Sequence, residues 1–161
     1  MEVKMKGMLL ERLTDDLKSD LIAAEYTSEE ESGLAGGLVS AMFDSLGMSS
    51  GSVFGEMFFM PDPDEDAEVA YFICAMLISD DLENADMETL NKAVSRLNHT
   101  SPAGVFYVDY DGGRLLYKLG VPLPAEIKEE DLYEEMNIVV GNALSILDPS
   151  LDELMGIIEG V

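Results

Sequence analysis

Val69-Ala70-Tyr71-Phe72-Ile73-Cys74-Ala75-Met76-Leu77-Ile78-Ser79 is the stretch on which the fold turns. It carries no charge, and apolar residues occupy its odd and its even positions alike. Successive side chains of a strand point to opposite faces, so a run that is apolar at both parities predicts a central strand buried on both sides. Upstream, Val53 to Met60 reads as a second strand. Pro61-Asp62-Pro63-Asp64-Glu65-Asp66 ends it, because two prolines remove ladder donors. The two strands are expected to pair antiparallel across this acidic loop.

Downstream, Asp86 is placed as the N-cap of a helix whose stripe is Met87, Leu90, Ala93, Val94 and Leu97. Val105 to Tyr110 and Arg114 to Val121 form a hairpin around Asp111-Gly112-Gly113, a turn whose residues tolerate positive φ. Pro122 and Pro124 are expected to stop its second strand. Leu132, Met136, Val139, Val140, Ala143, Leu144 and Leu147 then follow a helical period. Asp148-Pro149 reads as a restart, with Asp as N-cap and Pro at the first helical position. Its stripe continues through Leu151, Leu154, Met155 and Ile158.

The N-terminal segment places Met5, Leu9, Leu13, Leu17 and Leu21 four apart, an amphipathic helix. Glu29-Glu30-Glu31-Ser32-Gly33 reads as a loop. Leu34, Leu38, Met42 and Leu46 suggest a second, weaker helix, with Gly36 and Gly37 each costing about 1 kcal/mol inside it and Gly47 at its C-terminal end. The order is helices, two strands, helix, two strands, helices. That predicts an α+β fold with an antiparallel sheet. One domain is expected over 1–161, with an N-terminal helical region at 1–50 and an α+β core at 53–161.

Charge restricts function more than any motif does. Between Lys18 and Lys92 there is no lysine or arginine, while the same stretch carries 17 Asp and Glu; the whole chain has a formal charge of −24. Such a surface repels nucleic acid and anionic lipid and keeps an apolar protein dissolved. Salt adaptation and the capture of a basic partner fit the same composition. The lone cysteine, Cys74, excludes an internal disulfide and cysteine-based zinc sites, and points to a reducing, cytoplasmic setting. Glu11, Arg12, Asp15 and Asp16 come too early for a signal peptide, and no stretch approaches the ~20 apolar residues of a membrane span.

Catalytic residue types are scarce. His99, the only histidine, follows a helix end and is read as a surface or capping residue. Cys74, between Ile73 and Ala75, is read as an inert core thiol. Asp62, Asp64 and Asp66 are spaced like the start of a calcium loop. However, Ala67 stands where that loop needs Gly, and Ile73 where it needs Glu. With 33 acids, any carboxylate pair could be assembled on paper, so none is singled out. No catalytic, cofactor-binding or metal-binding residue is assigned. The 11 methionines are the unusual apolar choice. Met is adaptable and suits surfaces that accept partners, so Met57, Met60 and Met76 are the candidate partner-binding or dimer surface.

The strand Tyr71-Phe72-Ile73-Cys74-Ala75-Met76-Leu77 precedes a helix ending in Arg96-Leu97-Asn98. The hairpin Val105-Phe106-Tyr107-Val108-Asp109-Tyr110 and Gly113-Arg114-Leu115-Leu116 follows, then Val121-Pro122-Leu123 and an acidic, Leu-periodic helix from Glu130. In these features Val53 to Gly160 resembles the YbjN-like proteins and the type III secretion chaperone-like superfamily. The resemblance implies a chaperone-like core: a twisted antiparallel sheet with helices mainly on one face, and a tendency to form homodimers. It transfers no catalytic residue. The longer, glycine-containing Leu34 to Gly51 region departs from the chaperone branch. Together these readings predict a non-enzymatic, cofactor-free, cytoplasmic protein-binding or chaperone-like module that holds a protein partner. The alternatives are a carboxylate enzyme using a divalent cation at the 61–68 loop, and an acidic decoy that mimics nucleic acid.

Overall fold

The computed structural model describes residues 1–62, 64 and 67–161. The chain runs α1 (Val3–Ser19), β1 (Ala23–Thr27), α2 (Glu29–Ser32), β2 (Leu38–Leu46), β3 (Gly51–Phe59), β4 (Val69–Ser79), α3 (Met87–Thr100), β5 (Val105–Asp109), β6 (Arg114–Pro124) and α4 (Glu129–Glu159). The strands form one six-stranded antiparallel sheet in the order β1-β2-β3-β4-β6-β5. The fold is α+β. β4 is central, paired with β3 on one side and β6 on the other, and β3 and β4 do pair antiparallel across the acidic loop.

Parity explains where the core lies. Val39, Ala41 and Phe43 of β2, Val53, Met57 and Phe59 of β3, Ala70, Phe72, Cys74 and Met76 of β4, Leu115, Tyr117 and Leu119 of β6, and Phe106 of β5 are buried on one face. The helices supply the other side of this core. α1 lies against β1 and β2, α3 against β5, and α4 against β6, β4 and β2. Leu9, Leu10, Leu13 and Leu17 of α1 and Met136, Ala143, Leu147, Leu151 and Leu154 of α4 complete it.

Several local signals hold. The Asp86 carboxylate accepts a hydrogen bond from the Thr89 amide at 3.2 Å, capping α3. Asp111-Gly112-Gly113 makes the β5–β6 turn, with Gly113 at φ +62° and the Asp109 carboxylate accepting from the Gly112 amide.

Other expectations need correction. The second helix of the N-terminal region is strand β2. The pair Gly36 and Gly37 lies at φ +82° and +97°, in the left-handed region that favours glycine. Beyond the pair the burial alternates with period two, so the segment pairs with both β1 and β3. Ala23–Thr27, not anticipated as a strand, is the edge strand β1. Residues Glu29–Ser32 form one short helix rather than a loop, closed by Gly33 at φ +73°. The α1 stripe stops at Leu17; Leu21 stands in the left-handed region at φ +63° and is exposed. Gly47 closes no helix and sits in the β2–β3 turn.

α4 does not restart at Asp148 but runs unbroken through Pro149. Its buried stripe keeps one face on the sheet from Leu132 to Ile158, and that outweighs the amide lost at Pro149. Asp148 caps a neighbouring turn instead, accepting from the Gly47 amide at 2.8 Å, while Asp152 accepts from the Met48 and Ser49 amides at 2.6 and 3.1 Å. β6 likewise continues through Pro122 to Pro124. β5 pairs only as far as Lys118, so both prolines occupy a stretch where β6 is an edge.

Candidate functional site

The reading of β4 as a strand buried on both faces is half right, and the half that fails marks the site. Its even positions lie under the helices. Tyr71, Ala75 and Leu77 keep access to solvent on the other face, with Tyr71 51% exposed. No helix of the described residues covers that face, although the chain furnishes it with apolar side chains.

Strand register arranges this face in rows. The first row runs Ala23, Met42, Phe54, Leu77, Leu116, Tyr107 across all six strands, every member apolar. The second is Glu25, Ser40, Glu56, Ala75, Lys118, Val105. The third is Thr27, Leu38, Phe58, Ile73, Gly120. The Met60 amide donates to the Tyr71 carbonyl at 2.9 Å, which begins a fourth row that Tyr71 shares with Pro122. A Cβ at Gly120 would come within 2.8 Å of Ile73 Cδ1, so Ile73 leans into the place of the missing side chain. That accounts for its 4% exposure on an otherwise open face.

Three charges stand in the second row, Glu25, Glu56 and Lys118. Glu56 and Lys118 flank Ala75 two strand spacings apart, about 10 Å, and neither forms an ion pair among the described residues. Arg114 and Asp109 pair with each other at the border of the face, Arg114 Nε lying 3.0 Å from the carboxylate. For a chain of −24 this face is close to neutral.

Of the candidate methionines, Met57 and Met76 have no exposed surface; their parity turns them under the helices, where they belong to the core. Met60 is 39% exposed on the open face. The residues that sequence reasoning missed are Met42, Phe54, Phe58, Leu77, Leu116 and Lys118. A signal for them existed, since Phe54 and Phe58 alternate with Met57 and Phe59 and make β3, like β4, apolar at both parities.

Other expected chemistry falls elsewhere. Cys74 is fully buried, and desolvation pushes its thiol up to about 12. His99 is exposed and lines a shallow depression with Lys92 and Arg96. In the acidic loop, Pro63, Glu65 and Asp66 lie outside the described residues. Asp62 accepts a hydrogen bond from the buried Lys6 ammonium at 2.7 Å. Among the described residues no three His, Cys, Asp or Glu side chains converge as a metal ion would need. Two clefts indent the helix side and the hairpin end. One, of about 430 Å³, lies beside Asp80, Asp81, Glu83 and Asp109; the other, of about 600 Å³ and uncharged, lies between Leu97, Phe106, Ile146 and Pro149. Among the described residues no helix is long and apolar enough to cross a membrane. Comparison with protein-family models, curated proteins and solved structures gives no match.

Proposed function

We propose that this protein is a non-enzymatic polypeptide-binding module, in the chaperone-like manner its sequence suggests, and that the open face of the sheet is where it holds its partner. The observation that carries this reading is the second apolar face of β3 and β4. Phe54, Phe58, Leu77 and Leu116 are only part-buried by the chain, so a partner that removed their remaining surface from water would add a fraction of the roughly 1.5–3 kcal/mol that full burial of each is worth. Contiguous apolar surface of this kind marks interaction sites in soluble proteins.

The open face is six strands wide and its depression beside Ala23, Glu25, Met42 and Phe54, of about 290 Å³, is shallow, so the face suits another protein surface better than a small molecule, which would need a concave pocket. The acidic surroundings exclude strongly acidic partners and speed the approach of basic ones. Cys74, enclosed and held as a thiol, is not available as a nucleophile. Site-specific photocrosslinking tests the proposal. A photoreactive residue at Phe54 in cells should yield adducts with polypeptide, and one at the exposed helix position Ile138 should not. Equal yields at both positions, or none at Phe54, would sink it.

A further inference from the structure

We infer that the polypeptide covering the open sheet face is a second copy of this chain, packed face to face about a two-fold axis that runs along β4. The inference rests on the reading of that face as a polypeptide-binding surface and adds the identity and register of the occupant.

For a face to meet its own copy, the two-fold axis must lie in the plane between the two copies. Two kinds of orientation then compete, and the charges of the second row separate them. An axis running across the strands sets β3 over β3 and β6 over β6 of the other copy, so Glu56 can never face Lys118, and over the second row it sets each charge against its own image. An axis along β3 or along β6 again sets one of these charges against its own image. An axis along β4 sets β3 over β6 of the other copy and β2 over its β5, because β3 and β6 are the two neighbours of β4. Each Glu56 then faces the other copy's Lys118, twice in the assembly. These are the two charges nearest the central strand, and neither has an ion-pair partner within its own chain among the described residues.

The apolar rows agree with this register. In the first row Leu77 meets Leu77, Phe54 meets Leu116, and Met42 meets Tyr107. In the third, Ile73 meets Ile73, and Phe58 falls over Gly120, where only the Ile73 side chain fills the space. Ala75, a small residue, lies on the axis between the charge pairs and lets the copies approach. In the fourth row Met60 falls opposite Pro122. Aligned sheets cross at about 30°, which keeps β3, β4 and β6 in register and lets the corners diverge.

Size is adequate. Five strands at about 4.8 Å spacing and about eight residues of length enclose roughly 600 Å² of flat area per copy. Side-chain relief raises the accessible area above this, towards the roughly 800 Å² per partner of a standard interface. Near-neutrality matters as well: on a chain of −24, a second copy can approach only where the acids are few.

Charge reversal provides the test. The full chain should be a dimer by analytical ultracentrifugation at concentrations up to about 100 µM. Lys118→Glu and Glu56→Lys should each shift it at least tenfold toward monomer, since each sets like charges face to face. Mixing the two monomeric variants should restore a one-to-one heterodimer, because every Glu then faces a Lys. Recovery on mixing needs the charges to face each other between chains, so an effect within one chain cannot produce it. Both variants alter surface residues, and circular dichroism checks that each is folded. A monomeric wild-type chain, or variants that fail to associate on mixing, would overturn the inference. Crosslinks from Phe54 tell this failure from that of the underlying reading. An adduct of twice the chain mass supports the self-pairing. An adduct with a different polypeptide alone overturns the self-pairing but leaves the binding face standing. No adduct at all sinks both.

Discussion

Lys6 is the one cation taken into the core among the described residues, fully buried with its ammonium 2.7 Å from Asp62 and 5.7 Å from the centroid of the Phe59 ring. Its pairing is uneven, since Asp62 keeps 21% of its side-chain surface in solvent while Lys6 keeps none. Removing the acid strands a buried charge, and removing the base does not. Asp62→Ala should therefore cost about 3 kcal/mol in a denaturant titration, and adding Lys6→Met should recover most of that loss. A double variant no more stable than Asp62→Ala would refute this account. Gly36 belongs to the same junction, because a Cβ there would come within 2.4 Å of the Lys6 Cβ. The acidity of the 61–68 loop was plain in the sequence, but its pairing with a lysine 56 positions away was not. Ion pairs between distant segments leave no local pattern to read.

Elements were legible where the local signal and the tertiary demand agreed. The Asp86 cap, the Asp-Gly-Gly turn and the central position of β4 each state one answer, and the structure gives it. The reading failed where two periods fit one segment. Leu34, Leu38, Met42 and Leu46 are four apart, yet Val39, Ala41 and Phe43 alternate, and only pairing with β1 and β3 decides between them. Asp148-Pro149 failed for a related reason: a proline at a helix start and one tolerated inside a helix look alike until the buried stripe beneath is known. Here Pro149 lacks the amide that would donate to the Ser145 carbonyl. Pro149→Ala should restore that bond and stabilise the protein by about 1–3 kcal/mol, less than or equal to the proline penalty in a helix interior. Thermal unfolding checks it, and a fall in Tm would show that α4 depends on the proline. The candidate site was half legible, because parity announced a second apolar face while nothing in the chain could say whether its own helices would cover it.

For the molecule as a whole, charge sets the conditions of stability. Screening should relieve the mutual repulsion of the acids, so Tm at pH 7 should rise on going from low salt to about 0.5 M NaCl. A fall would mean that ion pairs such as Arg12 with Glu130 outweigh repulsion. Acid works through specific groups. The carboxyls of Asp86, Asp109, Glu130 and Asp152 lie below their ordinary values, held there chiefly by the Thr89 side chain, Arg114, Arg12 and the Met48 amide respectively. A depressed carboxyl contributes stability that is complete above its unfolded value, about 4, and lost as pH falls through the folded one. Tm should therefore decline below pH ~4, and exchanging Asp152 for Asn should flatten part of that decline. A final consequence follows from the strand order. β4 has three strands on one side and two on the other, so two copies joined along it cannot cover each other completely. Each β1 would overhang as a ledge, the pair at opposite ends of the assembly, with Ala23, Glu25 and Thr27 on the ledge floor and a free backbone edge along its rim. Such a body would be two-handed, able to take hold of one extended chain at both ends.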